Sequence, residues 1–192
     1  LAVDPIELAV EVARILERCG IDYVVGGSLA SSISGEPRAT LDIDIVVTLE
    51  ASNVDPLLEA LGDSFYADRE ALLNAVETRG SANLIHLPTS IKVDLFVAGG
   101  TPVDLEQLGR RVRTRVAEAP DRFLFVYTPE DILLQKLRWY RLGNEVSDRQ
   151  WRDVLGIVLV QGARLDRGYL KRSAEVLGVR DLLDRALRAG SE

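Results

Sequence analysis

Cysteine and histidine are almost missing from this chain: in 192 residues there is one of each, Cys19 and His86. One cysteine cannot close an internal disulfide, and one cysteine with one histidine cannot assemble a zinc site of the ordinary Cys/His kind. Any metal would have to be held by carboxylates. Long apolar runs are lacking too. None approaches the roughly 18 residues that a bilayer span requires, and the N-terminus shows no basic-then-apolar signal pattern, so the expectation is a compact cytoplasmic protein. Positive charge is in short supply, with 23 Lys and Arg against 30 Asp and Glu and a formal net charge of -7. That balance argues against a broad, non-specific nucleic-acid binder, whose affinity would rest on neutralising many phosphates. A local basic patch stays open, and Arg110, Arg111, Arg113 and Arg115 form one; the plainer reading of that run is an exposed strand face or loop.

What is present is a 47% hydrophobic composition, enough for one good core or two small ones sharing an interface. Asp4-Pro5 reads as an N-cap and first-turn proline, followed by helical spacing of Ile6, Leu8, Ala9, Val12, Ala13, Ile15 and Leu16 up to Gly20. Ile21 to Val25 is short and β-branched, a buried strand running into Gly26-Gly27, with a short helix from Ser28 to Ser34. Leu41 to Val47 alternates apolar and acidic residues before becoming fully apolar, the pattern of a strand leaving the core. A helix is expected from about Ser52 to Leu61, then a strand around Phe65 and a short helix before Gly80. Asn83 to Leu87 and Ile91 to Val97 read as a hairpin about Pro88-Thr89-Ser90. Arg111 to Val116 and Phe123 to Tyr127 are strand candidates about Pro120. From Thr128 the period becomes helical, with segments near 148–161, 166–177 and 179–189. The expected organisation is an α/β (α+β) core over residues 1–127 and a C-terminal helical subdomain over 128–192.

The chemistry starts from Asp42 and Asp44. Residues two apart on a strand share a face, so these carboxylates project together with Cα atoms roughly 6.5 Å apart. Leu41, Ile43 and Ile45 point the other way, and the acids cannot turn inward without exposing that apolar row. Two like charges on one strand repel unless a cation offsets them, and oxygen ligands of this kind suit magnesium or manganese. Taken alone, the pair is better explained as the solvated acidic face of an edge strand. Upstream, however, Gly26-Gly27-Ser28 closes a strand and opens a helix, where backbone N–H groups and the helix dipole favour a phosphate. Asp94, between Val93 and Leu95, places a third acid on the polar face of another buried strand. If the two strands are sheet neighbours, the three acids form one cluster.

These residues resemble the polymerase-β-type nucleotidyltransferase superfamily. The motif is Gly27-Ser28, thirteen intervening residues, Asp42-Ile43-Asp44 and the later Asp94. Within it the chain is most similar to the AbiEii-like group, which includes nucleotidyltransferase toxins of abortive-infection and toxin-antitoxin systems. The further matches are Lys92-Val93-Asp94, Lys136 with Arg138 and Arg141 after it, and Asp153 in Trp151-Arg152-Asp153-Val154-Leu155. The resemblance implies a nucleotidyltransferase-type mixed sheet flanked by helices, and transfer of a nucleoside monophosphate from a nucleoside triphosphate to a hydroxyl on tRNA, protein or a small molecule. It implies that Asp42, Asp44 and Asp94 bind Mg2+ or Mn2+, and that Asp94 also helps to activate the acceptor. Gly26, Gly27, Ser28, Arg38, Lys92, Lys136 and Asp153 are the expected nucleotide-binding residues, with Lys136 also catalytic. Ser28 would touch the terminal phosphates, Arg38 the triphosphate, and Asp153 would orient Lys136 or contact substrate. The same resemblance leaves room for an antitoxin partner and for an RNA end among the acceptors, and no motif selects between the acceptors. His86 is expected across the hairpin from Lys92, and Cys19 is expected to be structural. The alternative is a nucleotide-binding or antitoxin-like interaction module without turnover, against which the presence of all three acids argues.

Overall fold

The computed structural model describes residues 4–34, 42–99, 101–118 and 120–190. Its elements, in chain order, are α1 (Pro5–Arg18), β1 (Tyr23–Val25), α2 (Gly27–Ser34), β2 (Ile43–Val47), α3 (Ala51–Leu61), β3 (Phe65–Ala67), α4 (Arg69–Thr78), β4 (Ser81–His86), β5 (Ile91–Val97), α5 (Pro102–Gly109), β6 (Val112–Glu118), β7 (Asp121–Val126), α6 (Pro129–Leu142), α7 (Asp148–Gln161), α8 (Arg167–Val176) and α9 (Arg180–Ala189). They fall into two compact units. One comprises Leu1–Leu29 and Thr40–Val126, the other Ala30–Ala39 and Tyr127–Glu192. No described helix is long and apolar enough to cross a membrane.

The first unit is built on a mixed sheet in the order β3-β4-β5-β2-β1-β7-β6. β2 runs parallel to β5 and β1 parallel to β7, while the other neighbours are antiparallel. The strict alternation in β2 decides its orientation. Ile43, Ile45 and Val47 are fully buried, and Asp44 and Val46 between them are half-buried. In β5, Val93, Leu95 and Val97 likewise enter the core, leaving Lys92, Asp94 and Phe96 on the opposite face. The inward rows pack with Leu8, Val12, Ile15 and Leu16 of α1 and with Val54 and Leu57 of α3. Burial at about 1.5–3 kcal/mol for each large apolar side chain makes a one-residue slip of β2 or β5 prohibitive, so the acids stay on their face.

Local signals account for most boundaries. The Asp4 carboxylate accepts from the Ile6 N–H at 3.0 Å, Pro5 stands at the start of α1, and the chain leaves that helix through Gly20 at φ +68°. Helix α5 was not expected from the sequence. Its start carries a reciprocal cap, in which the Thr101 N–H donates to Asp104 and the Asp104 N–H to the Thr101 hydroxyl, ahead of Pro102. Eight residues with only Val103, Gln107 and Leu108 buried give too little periodicity to be read without attending to that cap. The arginine run lies on and just before β6. Arg111 pairs with Asp22 and Arg115 with Asp121, while the Arg113 guanidinium stacks 3.8 Å above the Phe123 ring.

The second unit contains α6 to α9. Thr128 caps α6, and Asp131 in its first turn is fully buried. That carboxylate accepts from the Tyr169 hydroxyl at 2.5 Å and from the Thr128 hydroxyl at 2.8 Å, while Glu130 accepts from the Asp166 N–H at 2.9 Å. Buried acids held in this way tie the start of α6 to the start of α8.

Candidate active site

In the first unit, strand pairing creates the acid cluster. Asp44 and Asp94 are register partners on the parallel pair β2/β5, and both lie on the face opposite the core. Asp42 stands two residues before Asp44, just ahead of the strand, and is exposed. The site also draws in the end of β1. The Gly26 N–H donates to the Asp44 carbonyl at 2.9 Å, lacing the first glycine to the acid strand.

Gly27, the first residue of α2, has φ +56°, and a Cβ built on it would lie 1.7 Å from Oδ2 of Asp44. The Asp44 carboxylate therefore rests against the glycine itself, at the mouth of a helix whose first N–H groups favour an anion. Ser28, next in the helix, is buried. Substituting Gly27 by Ala should push the carboxylate out of its niche and strain the backbone. Chemical denaturation should show a loss on the order of 3 kcal/mol, and nucleotidyl transfer should fall by at least about a hundredfold. Wild-type stability and rate in that variant would show that the contact does not matter.

Lys92 shares the face with Asp94, and its Nζ is 2.8 Å from Asp94 Oδ2. The hydrogen bond to Asp94 holds the ammonium above its ordinary pKa, and the charges of Asp42 and Asp44 push the same way. Among the described residues no three potential ligands are grouped closely enough to hold an ion together. The donor types still suit a hard divalent cation: Asp44 and Asp94 are register partners, Asp42 stands two residues before Asp44, and all three act electrostatically on the Lys92 ammonium.

Two residues beside the cluster escaped the sequence reading. In the β4/β5 hairpin Asn83 pairs with Asp94 and Ile85 with Lys92, so Asn83 lies on the far side of Asp94 from Asp44. His86 pairs instead with Ile91. It is buried on the core face, its Nδ1 is 2.8 Å from the Thr89 hydroxyl, and its ring lies 5.1 Å from that of Phe65. The expectation of His86 opposite Lys92 is thus corrected by one register step, which moves the ring to the other side of the sheet. Cys19 is half-buried with its Sγ 3.7 Å from the Pro56 carbonyl. Arg38 lies outside the described residues.

In the helical unit, Lys136 on α6 and Asp153 on α7 meet directly. Nζ is 2.8 Å from Oδ2, and the two side chains are only 7% and 10% exposed. Both are therefore buried and paired with each other, Lys136 with Asp153 as its partner. Arg141 is bound to Asp181, its pKa raised chiefly by that hydrogen bond.

The family of proteins described as "Nucleotidyl transferase AbiEii toxin, Type IV TA system" matches residues 22–162, a stretch that contains Gly27, Ser28, Asp42, Asp44, Lys92, Asp94, Lys136 and Asp153. The chain belongs to this family. It is accordingly a nucleotidyltransferase, of the class that moves a nucleoside monophosphate from a triphosphate to an acceptor. Solved structures agree on the fold. An antigenic nucleotidyltransferase-like protein from Paracoccidioides brasiliensis superposes with a TM-score of 0.55 at 21% identity, over 98% of this chain and 94% of that one. ANT(2″)-Ia in complex with adenylyl-2″-tobramycin gives 0.60 at 13% identity, over 89% and 97%. The lincosamide antibiotic adenylyltransferase LnuA, lincomycin-bound, gives 0.54 at 15% identity, over 83% and 99%. No curated protein matches in sequence. The AbiEii member described here thus has the nucleotidyltransferase fold that the sequence led us to expect, with Asp44 and Asp94 on the mixed sheet and Asp42 just ahead of β2.

Proposed function

We propose that Asp42, Asp44 and Asp94 form the catalytic centre of this AbiEii-family enzyme and hold Mg2+ or Mn2+ against a nucleoside triphosphate. The observation that carries this reading is the register partnership of Asp44 with Asp94, on the face where the Gly27 turn meets the acid strand. A divalent cation bound there supplies charge neutralisation for the triphosphate and for the departing pyrophosphate.

The protein's own residues do the rest. The first turn of α2, with Gly27 and Ser28, offers backbone donors and a hydroxyl to the phosphate chain, and Gly26, bound through its N–H to the Asp44 carbonyl, holds that turn beside the acids. Asp94 accepts the proton of the acceptor hydroxyl as its oxygen bonds to the α-phosphorus and the bond to the pyrophosphate oxygen breaks. Lys92 and Lys136 are assigned to the nucleotide on the family pattern, with Asp153 fixing the Lys136 ammonium. Arg38 belongs to the same assignment. Fixed positions aimed at an in-line displacement convert binding into rate acceleration.

The acceptor is a hydroxyl, on an RNA end, a protein or a small molecule. A toxin of a two-component system would act on something its own cell needs, so the chain is paired in this reading with an antitoxin. LnuA, named as a lincosamide antibiotic adenylyltransferase and solved with lincomycin, and ANT(2″)-Ia, solved with adenylyl-2″-tobramycin, support a small-molecule acceptor as one that the fold can take. The test is incubation with each α-labelled nucleoside triphosphate, magnesium and a total cell extract, followed by fractionation into RNA, protein and small molecules. Label should enter one fraction, and with one triphosphate preferred. Absence of label from every fraction with every triphosphate would overturn the proposal.

A further inference from the structure

Lys92 is placed unusually for a residue assigned to a nucleotide, because its ammonium is already engaged by an acid that the reaction needs. The alternation of β5 puts Lys92 and Asp94 on one face, two residues apart, and the 2.8 Å contact between Nζ and Oδ2 is direct. Asp94 in turn faces Asp44 across the parallel pair, and the ammonium is within electrostatic reach of both Asp42 and Asp44. Burial differs sharply along the pair: the Lys92 side chain is 52% exposed, Asp94 only 18%. The lysine therefore approaches from the solvent side on a flexible stem, and a half-exposed ion pair of this type is cheap to break.

We propose that Lys92 is the built-in counter-cation of the acid cluster: it neutralises Asp94 when no divalent ion is bound, and an entering ion must displace its ammonium from that carboxylate. The proposal rests on the reading of the three acids as a cation site. Two consequences follow from charge alone. Without metal, the lysine relieves the mutual repulsion of acids on neighbouring strands. With metal, it competes for the same oxygen and so sets a threshold for loading, and the displaced ammonium is then available to an anionic phosphate oxygen.

The experiment titrates Mn2+ into the full chain without nucleotide, reading free Mn2+ by electron paramagnetic resonance, and pairs this with thermal melting in EDTA and in Mn2+. Lys92→Met keeps the length and removes the charge. It should bind Mn2+ roughly five- to tenfold more tightly than wild type, melt lower in EDTA, and gain more from added Mn2+. Lys92→Arg, which keeps the charge, should stay close to wild type, and Lys92→Gln serves if the Met variant does not fold. Asp94→Asn and Asp44→Asn should weaken Mn2+ binding. If these acid variants lose Mn2+ while both neutral Lys92 variants bind it no tighter than wild type, the counter-cation role is wrong and the cation site stands. If the acid variants bind Mn2+ as wild type does, the cation site and the role of Lys92 fall together.

Discussion

Asp94→Asn and Asp44→Asn should each lower nucleotidyl transfer by about a thousandfold or more while leaving a folded protein. Both acids are on the face of the sheet that is not packed into the core, and asparagine has nearly the same shape, so the niche that Gly27 leaves for Asp44 is still filled. Removing one of several neighbouring carboxylates also lessens their repulsion. For Asp94 this gain is offset by loss of a half-exposed ion pair with Lys92, so the net stability change should be within about 1 kcal/mol. Rates from label incorporation and melting curves on the same preparations check both halves. A variant that folds and transfers at the normal rate would remove that acid from the mechanism.

Separating Lys136 from Asp153 should have the largest effect on stability. The pair is nearly out of solvent, so removing either partner takes the counter-charge from a buried ion in a low-dielectric setting. Lys136→Met and Asp153→Leu should each cost roughly 3–5 kcal/mol, whereas the double variant, with both charges gone, should recover most of that loss. Urea unfolding of the two single variants and the double variant closes the cycle. Transfer by the recovered double variant is the informative readout: if Lys136 serves the nucleotide, the protein is restored and the activity is not. Single variants that each cost under about 1 kcal/mol would mean that the buried pair does not hold the helices together as described.

The physics of a strand explains what could be read in advance. The pairing of Asp42 with Asp44 on one face needs only the period of two and the buried partners Ile43 and Ile45, and both are local. The neighbouring position of Asp94 is not local. Forty-nine residues with α3, β3, α4 and β4 lie between Asp44 and Asp94, so strand periodicity puts Asp94 on a polar face, but only an assumed strand order or the family resemblance sets it beside Asp44. His86 failed on one turn residue. A three-residue turn over Pro88-Thr89-Ser90 would set Leu87 opposite Ile91 and His86 opposite Lys92. Instead Leu87 belongs to the turn, where the Ser90 N–H donates to the His86 carbonyl at 2.7 Å and Ser90 adopts φ +59°. That single residue transferred His86 to the core and brought Asn83 beside Asp94. The contact of Lys136 with Asp153 depends on how α6 and α7 cross, and no spacing in the sequence encodes a crossing. The Gly27 niche is a similar case: a glycine pair signals a turn, but only coordinates show which side chain fills the space a Cβ would take.

The most direct test of the account compares α-labelled with γ-labelled triphosphate in the presence of magnesium and the fraction of cell extract that accepts label. Transfer of a nucleoside monophosphate predicts that the acceptor takes up the α-label and none of the γ-label, that the γ-label leaves as pyrophosphate, and that Asp44→Asn extinguishes the signal. Uptake of γ-label by the acceptor, or α-label transfer undiminished in Asp44→Asn, would contradict it.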